Sequence, residues 1–194
     1  MGHKEDLLVG AKKCLVEIGF ARTTARDIVA ASGTNLASIG YHFGSKDALM
    51  FHAMIAMIGE WAEKVDAGLT LPPSATSAQR FLARWERLIS LFAEDRNTLV
   101  ASFEAVGQIE RSPELREIIG AAQEDGRLSL AADFFNIDPS MDPATVRAIG
   151  ASMLAMMTGV MAQWLINPKA APTAAELAAA MDAMATMLKK DKGG

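Results

Sequence analysis

A chain of 194 residues, 51% of them apolar, is long enough to bury one sizeable core or two smaller ones sharing a helix, which excludes a disordered segment. One cysteine excludes an internal disulfide and suits a reducing compartment, and a formal charge of −4 gives no general attraction to nucleic acid. That charge is uneven, because residues 1–47 carry six Lys and Arg against five Asp and Glu, a balance of +1 that leaves −5 for the rest and so permits a local phosphate-binding face.

Ala, Leu and Met outweigh β-branched and aromatic residues, which predicts an all-α chain of about nine helices. The stripe Leu7, Ala11, Cys14, Leu15, Ile18 predicts a first helix over 4–18 that ends at Gly19 and buries Cys14 as an inert thiol rather than a reactive one. Thr24 and Asp27 have capping-box spacing ahead of Ile28 and Val29, so a short second helix runs to about Ser32 and Gly33 supplies a left-handed turn. Asn35 caps a third helix whose inner face is Leu36 or Ile39 with Phe43, and Gly44 breaks it. Ser45 caps a fourth that reaches about Asp66 through Leu49, Ile55, Ile58 and Trp61.

After the break "LTLPPSATS", further helices are predicted at 76–93, 97–110, 113–135, 143–166 and 173–190. Ser112-Pro113, Asp142-Pro143 and a capping box from Thr173 to Glu176 mark three of their starts. Residues 148–166 carry no charge and are long enough to span a membrane, but Gly150, Ser152, Thr158, Gly159 and Gln163 dilute them, and one end lacks a basic cluster or aromatic belt. Burial on two sides is the better reading, with no membrane partner. Ala148, Ser152, Ala155, Gly159 and Ala162 form a small-residue stripe, while Ile149, Met153, Met156, Val160 and Trp164 form a large one. The final helix repeats the large stripe with Leu177, Met181, Met184 and Leu188, so two such helices from each of two chains predict a homodimer through the last two helices. The start "MGHKEDLLVG" has no apolar secretory core, and a cytoplasmic protein is expected.

Two short helices joined by a glycine turn, with another packed before them, form the scaffold that sets a helix into the DNA major groove, although helix pairs of this length also occur in ordinary bundles. "TTARDIVAASGTNLASIGYHFGSKDAL" resembles the DNA-binding domain of the tetracycline-repressor (TetR) family of bacterial regulators. The resemblance lies in the Thr-x-x-Asp-Ile opening, the glycine after the second helix, the Tyr-His-Phe closing the third and the Ser-Lys-Asp-x-Leu starting the fourth, and it covers about residues 7–50. It implies a helix-turn-helix domain over 1–47 and a helical ligand-binding and dimerisation domain over 48–194, acting as a repressor on a palindromic double-stranded DNA operator.

By the same resemblance Thr24, Arg26, Tyr41, His42 and Lys46 contact the DNA backbone, Arg26 with reach to a base edge, while Asn35, Leu36, Ala37, Ser38 and Tyr41 face the groove. None of the groove-facing residues offers a bidentate arginine contact, so readout leans on thymine methyls, single hydrogen bonds, water and DNA shape. Each anchor also has an ordinary explanation: Thr24 as a helix cap, Tyr41 as core, Arg26 in a surface ion pair, Lys46 as solvated and His42 as a partly buried histidine. Gly40 departs from the family, which usually carries a larger residue there, and family base contacts at that position do not transfer.

The resemblance also implies a small effector bound among the later helices. Met54, Met57, Trp61, Trp85, Phe92, Phe103, Met157 and Trp164 are candidates to line an apolar pocket, or to be core; Met57, Trp61, Trp85, Phe103, Met157 and Trp164 are taken as the ligand set. Few charges fall on inward faces, so the effector expected is apolar or aromatic. No nucleophile elbow, phosphate loop, zinc spacing or Cys-His pair is present, so no enzyme, metal or cofactor is expected, and Glu104, Glu110 and Asp125 read as solvated helix faces. The alternatives are a ligand-binding or structural helical dimer without DNA binding, and a membrane-anchored regulator.

Overall fold

The computed structural model describes residues 2–107 and 113–190. Among these the chain forms helices α1 (His3–Glu17), α2 (Ala25–Ser32), α3 (Leu36–Phe43), α4 (Lys46–Ala67), α5 (Ser77–Glu94), α6 (Arg96–Val106), α7 (Pro113–Phe134), α8 (Pro143–Ile166) and α9 (Ala174–Lys190), and no strand. The expected boundaries hold within a residue or so, except that α6 ends at Val106; residues 108–110 of the helix expected over 97–110, and Ser112, lie outside the described residues.

The chain packs as two units, Met1–Lys64 with Asp95–Glu124, and Val65–Glu94 with Asp125–Gly194. The core of the first joins Leu7, Cys14 and Leu15 of α1, Ile28 of α2, Ile39 and Phe43 of α3, Leu49, Phe51 and Met54 of α4 and Ala101 of α6. Of the two alternatives for the inner face of α3, Ile39 is inside and Leu36 is out, 53% exposed. α1 and α2 cross closely because Gly10 presents no side chain: a Cβ there would lie 2.7 Å from that of Ser32. Burial, then the charges of Asp27 and Glu17, push the Cys14 thiol up, so it stays protonated and inert.

In the second unit Trp85 is fully buried, its ring 6.3 Å from Phe81 and 5.8 Å from Phe134, and Phe92 meets Trp164 at 5.7 Å. α5 packs on α9. α7 and α8 cross at Gly150, where a Cβ would lie 1.7 Å from the Arg127 carbonyl oxygen. Arg84 pairs with Asp66 at 2.6 Å and reaches Asp133 at 3.7 Å. Burial, offset by Arg84, pushes the Asp133 carboxyl up.

The expected two-sided burial of α8 is not met within one chain. α8 is long and apolar enough to cross a membrane, and only 17% of its most apolar stretch is buried. Ala148, Ser152, Ala155 and Thr158 are exposed, as are Met184, Met187 and Leu188 on α9. The large stripe of α8 does turn inward at Met153 and Val160.

Candidate nucleic-acid interface

α2, α3 and the start of α4 are placed by side chains bonding to backbone. Thr24 Oγ1 accepts the Asp27 N–H at 3.3 Å, while Asp27 Oδ2 accepts the Thr24 N–H at 2.8 Å and its hydroxyl at 2.7 Å. Those bonds, the hydroxyl's first and the amide's second, hold the Asp27 carboxyl below the usual carboxylate range. Gly33 then turns the chain at φ 66°, a conformation that strains any residue with a Cβ.

Asn35 Oδ1 caps α3, accepting the Ser38 N–H at 3.0 Å and the Ser38 hydroxyl at 3.2 Å. Ser38 is only 8% exposed, and His3 Nδ1 of α1 lies 3.2 Å from its Oγ. Its hydroxyl is therefore engaged at the α1–α3 contact. Leu36, Ala37, Gly40 and Tyr41 form the exposed surface of α3, and the space around the Gly40 Cα is open. Tyr41 is 85% exposed, so it is not core, and its ring stands edge-on to His42 at 4.9 Å.

Ser45 Oγ accepts the Ala48 N–H at 3.0 Å and caps α4 as expected. Lys46 is half-buried rather than merely solvated. Its Nζ donates to the Thr23 carbonyl at 3.1 Å, meets Asp47 at 2.8 Å and lies 5.8 Å from the centre of the Phe20 ring. Of three ammonium N–H donors, that geometry leaves one for an outside acceptor. Thr24, Arg26, Asn35, Leu36, Tyr41, His42 and Lys46 all reach the surface at least in part.

The six effector candidates do not form one group within either unit. Met57 and Trp61 line a hollow of about 60 Å³ with Glu60, Lys64, Asp95 and Thr98, too small for a drug-sized molecule. Trp85 and Trp164 are spent on the aromatic packing above. Phe103 and Met157 are half-buried on α6 and α8. A hollow of about 430 Å³ in the second unit, lined by Phe135, Thr145, Ala148, Ile149, Ser152, Met153 and Met181, contains none of the six. Its polar groups are already engaged: Ser152 donates to the Ala148 carbonyl at 2.9 Å and Thr145 to Asp142 at 3.1 Å.

Of the acidic residues expected on solvated faces, Glu104 and Asp125 are exposed and Glu110 lies outside the described residues; Glu104 also accepts the backbone N–H of Phe20 at 3.0 Å. Nothing near Glu104 in sequence signals its partner, which lies 84 residues away.

Residues 7–53 match the family model of bacterial regulatory proteins, tetR family, and residues 77–189 match that of the C-terminal domain of BetI-type transcriptional repressors. The HTH-type transcriptional repressor KstR2 of Rhodococcus jostii (strain RHA1) is 26% identical over 133 residues, 64% of this chain, and the match spans 65% of that repressor's length. Among solved structures, a putative TetR-family transcriptional regulator from Rhodococcus sp. superposes with a TM-score of 0.69 at 16% identity over 94% of this chain and 98% of that one. The transcriptional regulator FadR from Bacillus subtilis, in complex with stearoyl-CoA, gives 0.62 at 16% identity over 91% of this chain and 94% of that one. At these identities the structural likeness is one of fold.

Proposed function

The chain belongs to the tetR family of bacterial regulatory proteins, and from that premise we propose that it is a cytoplasmic transcriptional repressor. On this reading two copies bind a palindromic operator, and a small apolar or aromatic effector releases them. Residues 1–47 hold the DNA and 48–194 hold the effector and the second copy. Regulators of this family are not enzymes.

One observation carries the DNA reading: α3 buries Ile39 and Phe43 yet presents Leu36 and Tyr41, two large side chains at 53% and 85% exposure. A two-turn helix gains nothing within its own chain from exposing them, whereas a groove offers thymine methyls and phosphates. Thr24, Arg26, Tyr41, His42 and Lys46 anchor phosphates; Asn35 and Leu36 meet base edges, with Ser38 holding the helix start behind them. The open space at Gly40 suits close approach of backbone to DNA.

The exposed small-residue face of α8, with Met184 and Leu188 of α9, supports pairing through the last two helices. A membrane would suit the apolar length of α8 as well, but the exposed Ser152, Thr158 and Gln163 favour a protein partner. An apolar or aromatic effector is supported by the 430 Å³ hollow, whose size suits a small ligand and whose hydroxyls are occupied internally, and which Ala148 and Ser152 place at the edge of the paired face. The stearoyl-CoA in the FadR structure carries a long apolar chain on a charged CoA group, so that relative supports an apolar segment in the effector and no more.

The test is a titration of the purified protein against duplexes enriched from a random pool, repeated at rising salt. Enriched sequences are expected to be palindromic, with affinity falling steeply as salt rises. Lys46→Ala should weaken cognate and random duplex alike and reduce the salt slope by about one per subunit. A monomer at micromolar concentration that enriches no palindrome would overturn the reading.

A further inference from the structure

We propose that Glu104 of α6 is the positioning residue that fixes the α1–α2 turn and, through it, the ammonium of Lys46. This rests on the reading of Lys46 as a phosphate anchor.

The turn from Gly19 to Thr23 is held from two sides. On one side Glu104 Oε2 accepts the Phe20 N–H at 3.0 Å. The turn is shaped to admit that carboxylate: Gly19 sits at φ 89°, and a Cβ there would come 3.0 Å from the same oxygen. On the other side the buried Phe20 ring packs edge-on to Phe51 of α4 at 4.8 Å, and Lys46 Nζ stands 5.8 Å from its centre. Lys46 also donates to the Thr23 carbonyl, and Thr23 is tied back to the Gly19 carbonyl by its hydroxyl at 2.7 Å and its amide at 3.3 Å. Two of the three contacts on the ammonium, the Phe20 ring and the Thr23 carbonyl, thus belong to the segment that Glu104 grips, and the third is the neighbouring Asp47 of α4.

α6 itself is anchored by Leu99 and Ala101, both buried, and it carries Thr98 on the small hollow beside Met57 and Trp61. A helix is stiff over its eleven residues, so a displacement of α6 against α1 is delivered at the Phe20 amide rather than absorbed along the way.

The experiment uses the full chain with Glu104→Ala, Glu104→Leu, Glu104→Gln, Lys46→Ala and the double variant Glu104→Ala/Lys46→Ala. Glu104→Leu keeps the bulk without an acceptor and stands in should Glu104→Ala not fold. Two quantities are read: hydrogen exchange at the Phe20 amide, and affinity for a duplex enriched by the wild type. Ala and Leu should expose the Phe20 amide to exchange about tenfold faster and weaken DNA binding about threefold to tenfold, while Gln, which retains an acceptor, should stay within about twofold of wild type. In the Lys46→Ala background, Glu104→Ala should cost no further affinity, a non-additivity that a merely structural role would not produce. Unchanged Phe20 exchange in both Ala and Leu variants, or losses that simply multiply in the double variant, would overturn the proposal. A wild type that enriches no duplex would instead overturn the DNA-binding reading, with Phe20 exchange still deciding the contact.

Discussion

α2 and α3 are eight residues each, and α8 is twenty-four, yet the short helices are the better specified. Each short helix begins on a side chain bonded to backbone, ends on a glycine at positive φ and buries a defined face. α8 begins as firmly, with Asp142 accepting the Thr145 N–H at 3.0 Å ahead of Pro143, but only 17% of its most apolar stretch is buried in the same chain. Local bonding sets where a helix starts; what its faces meet is decided elsewhere.

The largest expected contrast comes from two helix crossings. Gly150→Ala drives a Cβ into the Arg127 backbone, which no rotamer change relieves, and should destabilise by about 3 kcal/mol or more. Gly10→Ala meets Ser32, part side chain and part backbone, and should cost about 1–3 kcal/mol. Thermal or urea unfolding of the pair measures both, and equal losses would show that the two crossings are equally tight. Next is Thr24→Ala, which removes the capping box of α2 and should cost about 1 kcal/mol while also lowering DNA affinity. A melting change without an affinity change would confine Thr24 to its structural role. Gly40→Ala should act in the opposite sense, stabilising by about 1 kcal/mol because open space surrounds the position. If the backbone of α3 lies against DNA, the more stable variant will bind operator less well.

The smallest effect separates the regions by pH. The Asp27 carboxyl is held low, so its contribution is present above the unfolded pKa and is lost as pH falls through the folded one. Asp133 is pushed up by burial, so its contribution is present below the unfolded pKa and is lost as pH rises through the folded one. Acidification should therefore relieve the second unit first, on the approach to about pH 4, and loosen α2 only below it, read as opposite changes in amide exchange. Asp133→Asn should abolish the change in the second unit and leave that in α2.

The same division governs how much was legible in the sequence. Thr24 with Asp27, Asn35 with Ser38, Asp142 with Thr145 and Thr173 with Glu176 announce helix starts because each pair lies within one turn, and all four form. Gly33 and Gly44 announce turns for the same reason. The inward turn of Ser38 is met by His3 of α1, and no spacing rule reaches thirty-five residues. The exposed position of Glu104 is legible, but its bond to the Phe20 amide is not, because a backbone amide has no residue signature. The 430 Å³ hollow is hidden by the stripes themselves: Ile149, Met153 and Met181 fit a helix–helix seam and a cavity wall equally well until Phe135, just past the end of α7, joins them.

On the proposed reading of Lys46 as a phosphate anchor, its restraint bears on how fast and how selectively DNA is gripped. A surface lysine ordinarily surrenders about 1.5–2 kcal/mol of rotamer freedom when it is immobilised. Here the ring beneath it and the carbonyl beside it impose that order when the chain folds, so the arriving phosphate meets a cation already in place. A preorganised charge of this kind rewards a duplex whose backbone follows the expected path and gives little to one that would need the side chain to search, so even an anchor blind to base identity discriminates by groove shape.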